Sequence, residues 1–89
     1  MQDKKEKILI ALAKVIKKRR GKLSITQVSL SADVSKSIWA MIEHARRDAQ
    51  LTTLFKIAEA LYIKPSQLLY EIERELGDTF SYLEDSTCD

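Results

Sequence analysis

Positively charged side chains in the middle of the chain offer its most obvious chemistry. Lys36 directly follows Ser35, and His44, Arg46 and Arg47 come within the next eleven residues. Ammonium and guanidinium groups bind phosphate oxygens, and they also donate hydrogen bonds to the exposed edge of guanine. The alternative is an ordinary solvated surface without a ligand. The two alternatives differ in whether the fold presents these side chains on one face.

The charge of the chain is unevenly distributed, although its net value is only +2. Residues 1–64 carry 14 Lys and Arg against 6 Asp and Glu, a net charge of +8. Residues 65–89 carry one cation, Arg74, against 7 acids, a net charge of −6. A basic body with an acidic tail indicates a polyanionic partner for the first part, or alternatively two solvated surfaces without ligands.

The sequence lacks the residue patterns of common enzyme and metal sites. It has no glycine-rich phosphate loop, and its one histidine and one cysteine, His44 and Cys88, cannot build a zinc site. No apolar run approaches the roughly 18 residues of a membrane span, and the charged N-terminus has no signal-peptide pattern. We expect a cytoplasmic protein that is not an enzyme, with no catalytic residues, no metal, no cofactor and no small-molecule ligand.

The pattern of apolar residues predicts an all-α domain of five helices. β-branched residues never alternate with polar ones over the length of a strand, so no sheet is expected. Ser24 and Gln27 form a capping-box pattern, and Ser35 is a natural N-cap after a turn at 32–34. The expected helices run from about Lys4 to Arg20, from Ser24 for about two turns, from Lys36 to His44, from Leu51 to Tyr62 and from Pro65 to Leu76.

Each expected helix has an apolar stripe that identifies the core. Trp39 shares the inner face of the third helix with Ile42, and Glu43 beside them is expected to make a structural hydrogen bond or ion pair. Residues 1–76 are predicted to form one domain, and 77–89 an acidic tail with weak periodicity. The other apolar residues on or beside these stripes are Ile8, Leu9, Leu12, Val15, Ile16, Val28, Ala32, Ile38, Leu51, Leu54, Ile57, Ala58, Leu61, Leu68, Leu69, Ile72 and Leu76.

Five short motifs occur in an order and spacing that resemble a known family. They are L-S at 23–24, A-D-V-S at 32–35, I-E at 42–43, L-x-K-I-A-x-A-L at 54–61 and I-K-P-S-Q-L-L at 63–69. The chain resembles the lambda-repressor-like (Xre-type) helix-turn-helix regulators over roughly residues 8–70. Its small size also looks like that of restriction–modification controllers and compact phage or plasmid repressors. The resemblance implies a five-helix DNA-binding domain whose second and third helices form the helix-turn-helix.

The chain also departs from the family pattern. Asp33 occupies the turn position that usually holds glycine, and aspartate tolerates the left-handed region better than most residues. Ile25 stands where the family often has a glutamine that touches phosphate. Ala45 and Ala49 replace a loop glycine and a loop proline.

The resemblance implies a role for each residue of the predicted DNA-binding surface. The third helix would enter the major groove, where Lys36 donates to guanine or phosphate, and Met41 packs against thymine methyl groups. Met41 fits a protein-binding surface equally well. Arg46 and Arg47 would fix the helix against phosphates. The full predicted set is Thr26, Gln27, Ser35, Lys36, Ser37, Ala40, Met41, His44, Arg46 and Arg47.

A second copy of the chain is expected, because one such helix reads only a few base pairs. The fifth helix and the residues beyond it carry more apolar side chains than one small core needs. We expect this stripe to pair with its symmetry mate, whereas the alternative is that it packs back on the first helix. The predicted interface residues are Leu68, Leu69, Ile72, Leu76 and Phe80.

These features together favour a homodimeric, sequence-specific regulator that binds double-stranded DNA at a palindromic operator. The alternative is a protein-interaction module or antitoxin on the same scaffold, whose tail at 77–89 captures a partner. The predicted reading face lacks arginine, asparagine and glutamine, and this favours the alternative.

Overall fold

The computed structural model describes residues 3–83, and within them it contains five α-helices and no strand. The predicted all-α class and the number of helices are confirmed. Among these residues, no helix combines the length and the apolar character that crossing a membrane requires. The helices are α1 (Lys4–Arg20), α2 (Ile25–Ala32), α3 (Lys36–Glu43), α4 (Leu51–Ala60) and α5 (Pro65–Leu76).

Side-chain caps determine where the first three helices begin. The Asp3 carboxylate accepts a hydrogen bond from the Glu6 amide at 2.7 Å. The predicted capping box of α2 is confirmed, since Ser24 Oγ accepts from the Gln27 amide and Gln27 Oε1 accepts from the Ser24 amide. Ser35 caps α3 by accepting from the amide of Ile38 at 3.1 Å. Each cap satisfies an amide that has no partner inside the helix.

Left-handed backbone conformations end three of the helices. Asp33, Ala45 and Tyr62 have φ values of 56°, 57° and 61°. The amide after each of them donates back to a carbonyl oxygen of the helix, as in a Schellman motif. These bonds join Val34 N to Ser29 O, Arg46 N to Met41 O and Ile63 N to Ala58 O. The sequence predicted helix ends at His44 and Tyr62, whereas α3 ends one residue earlier and α4 two residues earlier. The prediction was inexact because no glycine marks either end in the sequence.

The core forms where all five helices meet. α1 packs against α3 and α5, α2 packs against α3 and α4, and α4 packs against α5. The predicted core position of Trp39 is confirmed, and the largest fully buried side chains are Trp39, Ile16, Ile42, Ile57, Leu68 and Val28.

Two leucines of the predicted apolar stripes are exposed, and of these Leu51 was predicted to be buried. Leu51 is 64% exposed because it is the first residue of α4, at an end of the helix that the core does not reach. Leu69 is 48% exposed, since it lies about 100° around α5 from the fully buried Leu68. Ile8, Leu9, Ile38, Leu54 and Leu76 are partly buried.

Candidate nucleic-acid interface

The short helix α3 has a buried side and an exposed side. Trp39 and Ile42 each have 1% of their surface exposed, so they anchor the helix in the core. Lys36, Ser37 and Met41 are exposed, and Ala40 is partly buried. Because successive residues are about 100° apart around a helix, Ser37, Ala40 and Met41 lie on the side away from Trp39 and Ile42, while Lys36 lies at its edge. The predicted reading residues of α3 therefore share one accessible face.

A buried carboxylate holds the inner side of α3 against the end of α1. Glu43 is 2% exposed and accepts hydrogen bonds from Arg20 Nε at 2.6 Å, Arg20 Nη2 at 2.9 Å and Trp39 Nε1 at 2.6 Å. Arg20 Nη1 also donates to the carbonyl oxygen of Leu23 at 2.7 Å. The bond to Glu43 raises the pKa of the Arg20 guanidinium above its usual value.

This network confirms the structural role predicted for Glu43 and adds a partner that the sequence did not indicate. Arg20 and Glu43 are 23 residues apart, so no helical spacing relates them. Because both carboxylate oxygens accept and the guanidinium donates in three directions, the pair fixes position as well as charge. The exposed face of α3 is thereby held at a defined angle to α1.

The loop that follows α3 presents two arginines immediately beyond the helix end. Arg46 and Arg47 are exposed, and the Arg46 amide bonds to Met41 O at 2.9 Å. Within residues 3–83, the ion pairs of lysine and arginine join Lys14 to Glu75, Arg19 to Glu71 and Arg20 to Glu43. Neither loop arginine takes part in an intramolecular ion pair of that region, so both guanidinium groups are available to an anion.

His44 and Ser35 each use one polar group within the fold. His44 Nδ1 lies 2.7 Å from the carbonyl oxygen of Ala40, so Nδ1 carries the proton and donates. Its Nε2 is left for an external contact. The Ser35 oxygen accepts from the Ile38 amide, which leaves its hydroxyl proton as a donor.

Helix α2 supplies two further exposed residues of the predicted set. Thr26 and Gln27 lie in its first turn, and α2 packs directly against α3. The Gln27 side-chain oxygen accepts within the capping box, so its NH₂ group is the part that remains for an external contact.

The structure corrects the predicted dimer stripe on α5. Leu68 is 0% exposed and Ile72 is 7% exposed, so both are core residues that a second chain cannot reach. Leu76 and Phe80 are partly buried, and only Leu69 remains largely accessible. Leu68 and Ile72 therefore pack within their own domain, where α5 lies against α1. Whether the rest of α5 pairs with a second copy stays a prediction.

Other apolar side chains are exposed where the sequence predicted none. Phe55 on α4 is half exposed, and Tyr62 between α4 and α5 is 88% exposed. Together with Leu69 on α5, these exposed side chains of two neighbouring helices are called here the α4–α5 surface. Sequence periodicity missed Tyr62, since its left-handed backbone removes it from the helix pattern.

No protein-family model matches this sequence, and neither the curated proteins nor the solved structures provide a significant match. The positions and charges of the residues themselves therefore carry the functional interpretation.

Proposed function

We propose that this protein is a sequence-specific regulator that binds double-stranded DNA as a homodimer, with α2 and α3 as a helix-turn-helix of the lambda-repressor-like type. The main supporting observation is the position of Arg46 and Arg47, which form no ion pair within residues 3–83 and directly follow an anchored short helix. A rigid helix that fits the major groove and is flanked by cations for the phosphates is the minimum such recognition needs.

The exposed face of α3 supplies the contacts to base edges. Lys36 donates to the O6 and N7 atoms of guanine, and Ser37 donates or accepts at either kind of base pair. Ala40 and Met41 bring methyl groups to the methyl group of thymine. Specificity on this face depends on one strong donor and on shape.

Phosphate contacts orient α3 in the groove. Arg46 and Arg47 neutralise phosphates beyond the end of the helix, and Thr26 and Gln27 contact the flanking backbone at the start of α2. His44 donates from Nε2 only when its ring is protonated, because Nδ1 already serves Ala40. Because Arg46 and Arg47 displace counterions from the phosphates, DNA binding is expected to weaken steeply as the salt concentration rises.

Selection of bound DNA from a random pool tests this function directly, and a palindromic consensus is the expected result. Arg46→Ala/Arg47→Ala should then weaken binding by a similar factor on every sequence and lower the salt slope by about 2. Lys36→Ala should cost about 1–3 kcal/mol and relax the preference at one base position. Lys5→Ala/Lys17→Ala removes two exposed α1 cations and serves as the charge-matched control.

Two results would contradict the proposed DNA binding. If Arg46→Ala/Arg47→Ala binds DNA as tightly as the control does, the loop does not face phosphate and the proposal is wrong. If the selection returns no consensus, α3 does not read sequence.

The α4–α5 surface is the proposed site of the second copy. Phe55, Tyr62 and Leu69 are exposed apolar side chains, and Tyr62 keeps a left-handed backbone that favours glycine. A costly conformation that presents a tyrosine to solvent fits a residue whose ring is used by a partner. Two-fold symmetry would bring the same surface of both copies together.

Sedimentation measures this association. Tyr62→Ala/Leu69→Ala should be monomeric at tens of micromolar, where the wild type sediments as a dimer. Tyr82→Ala removes an exposed tyrosine outside the α4–α5 surface and should leave the dimer intact. A wild-type monomer at that concentration would contradict the dimer.

A protein-interaction module or antitoxin is the second candidate function. The observation in its favour is that the exposed face of α3 presents Met41 and, in residues 36–43, contains no arginine, asparagine or glutamine. The tail that would capture the partner extends beyond residue 83, outside the described residues. A pool selection without enrichment, combined with undiminished self-association, would favour this candidate.

A further inference from the structure

A cleft of about 350 Å³ lies between the first half of α1 and the segment that follows α5. Within residues 3–83, three lysines, Lys4, Lys7 and Lys14, line it together with a single carboxylate, that of Glu75. Lys14 Nζ lies 3.7 Å from Glu75 Oε2. Three ammonium groups and one carboxylate give these four side chains a formal charge of +2. The cleft is therefore suited to an anion.

The backbone reinforces this preference. Lys4 and Lys7 lie in the first turn of α1, where the helix dipole already places partial positive charge. The two lysines share this end of the helix with two carboxylates, Glu6 and the N-cap Asp3, which accepts from the Glu6 amide. An anion in the cleft would be stabilised by both ammonium groups and by the dipole.

The floor of the cleft is apolar. Ile10 and Ala11 contribute from α1, Leu76 from the end of α5, and Phe80 from the segment beyond it. Ala11 is 3% exposed and belongs to the core, while the other three are partly buried. An apolar floor below a cationic rim binds a molecule with a hydrocarbon body and one charged end.

We propose that this cleft binds an amphipathic carboxylate, such as a medium-chain fatty acid. The volume lies near the lower end of small-molecule sites, which span about 300–1,000 Å³. At the ~30 Å³ that a water molecule takes up in the liquid, it accommodates roughly ten to twelve non-hydrogen atoms, the size of decanoate. The sequence predicts no such ligand, because Phe80 and the lysines are far apart along the chain.

Titration of the full chain with decanoate, followed by amide NMR signals, tests the site. Saturable shifts are expected at residues 7–14 and 76–81. Acetate lacks the hydrocarbon body and decyltrimethylammonium has the opposite charge, so each should bind at least about tenfold more weakly. Equal binding of the cationic analogue, or shifts spread over the whole chain, would overturn the proposal.

Paired variants locate the charge. Lys7→Gln/Lys14→Gln should raise the Kd for decanoate about tenfold, because two ammonium contacts are lost. Lys5→Gln/Lys17→Gln removes two exposed lysines of the same helix that do not line the cleft, and should leave the Kd unchanged. Equal effects of the two variants would show that overall charge, and no defined site, attracts the ligand.

The chain's own acidic residues are the rival occupant. Glu84 and Asp85 follow shortly after the segment that lines the cleft. If Glu84→Gln/Asp85→Asn and wild type bind decanoate with the same Kd, the site belongs to the ligand. If decanoate does not bind the wild type but shifts the amide signals of the cleft in the variant, the tail occupies the cleft and the proposal is overturned. Neither result depends on DNA binding.

Discussion

Arg20→Met is expected to destabilise the fold far more than the loss of one surface cation would. Arg20 donates two hydrogen bonds to Glu43, and Trp39 donates the third. In the variant, a carboxylate that is 2% exposed keeps only one donor. Removing one partner of a buried ion pair costs about 3–5 kcal/mol, because the remaining charge is left without water or counterion.

That cost is large for a domain of this size, whose total stability is of the order of 4–12 kcal/mol. Arg20→Met/Glu43→Met removes the charge along with its partner and leaves apolar groups of similar volume, and its remaining cost is the loss of the acceptor of Trp39 Nε1. We expect the double variant to exceed the single variant by at least ~1 kcal/mol in its free energy of unfolding. A double variant that is more stable than the single variant is what a buried ion pair predicts.

Urea denaturation of wild type, both single variants and the double variant completes the cycle. Arg19→Met is the matched control, because Arg19 pairs with Glu71 at a more exposed site and should cost less than ~1 kcal/mol. A cost below ~1 kcal/mol for Arg20→Met, or a double variant no more stable than the single one, would refute the reasoning.

Three further outcomes are expected. Hydrogen bonding from Arg19 lowers the pKa of Glu71 from 4.5 to about 2, so the stability it contributes is present above pH 4.5 and lost as the pH falls toward 2. Glu71→Gln should therefore cost ~1 kcal/mol in thermal unfolding at pH 7 and nothing at pH 2. Ala45→Gly should raise the free energy of unfolding by about 0.5–1 kcal/mol, measured in urea, because glycine adopts a positive φ without strain. Ser24→Ala should lower it by ~1 kcal/mol through loss of the capping box, and an unchanged denaturation midpoint would contradict that role.

The sequence predicts the parts of the fold that depend on local chemistry. The bounds of α1 and α5 agree with the prediction, because Gly21 ends the first and Pro65 and Gly77 bracket the second. The cap residues of α2 and α3 are also correct, since a serine hydroxyl satisfies its amide within one turn. These features need no knowledge of the tertiary structure.

The features that sequence reasoning missed depend on contacts between helices. Nothing in the sequence around Arg20 indicates that its side chain reaches Glu43, which lies 23 residues further along the chain. Leu68 was assigned to a dimer because a stripe on one helix does not reveal which neighbour covers it. The predicted DNA contacts lie on accessible surface, and whether nucleotides meet them stays a prediction.

Selection for thermal stability would favour glycine at two positions of this protein, with different consequences for its assembly. Glycine relieves the backbone at both 45 and 62, since Ala45 and Tyr62 share the same unfavourable φ. At 45 the outcome is a hardier protein with its assembly unchanged. At 62 the same substitution also removes an aromatic ring from the proposed dimer contact. A variant selected there would be a more stable monomer with lower affinity for a palindromic site.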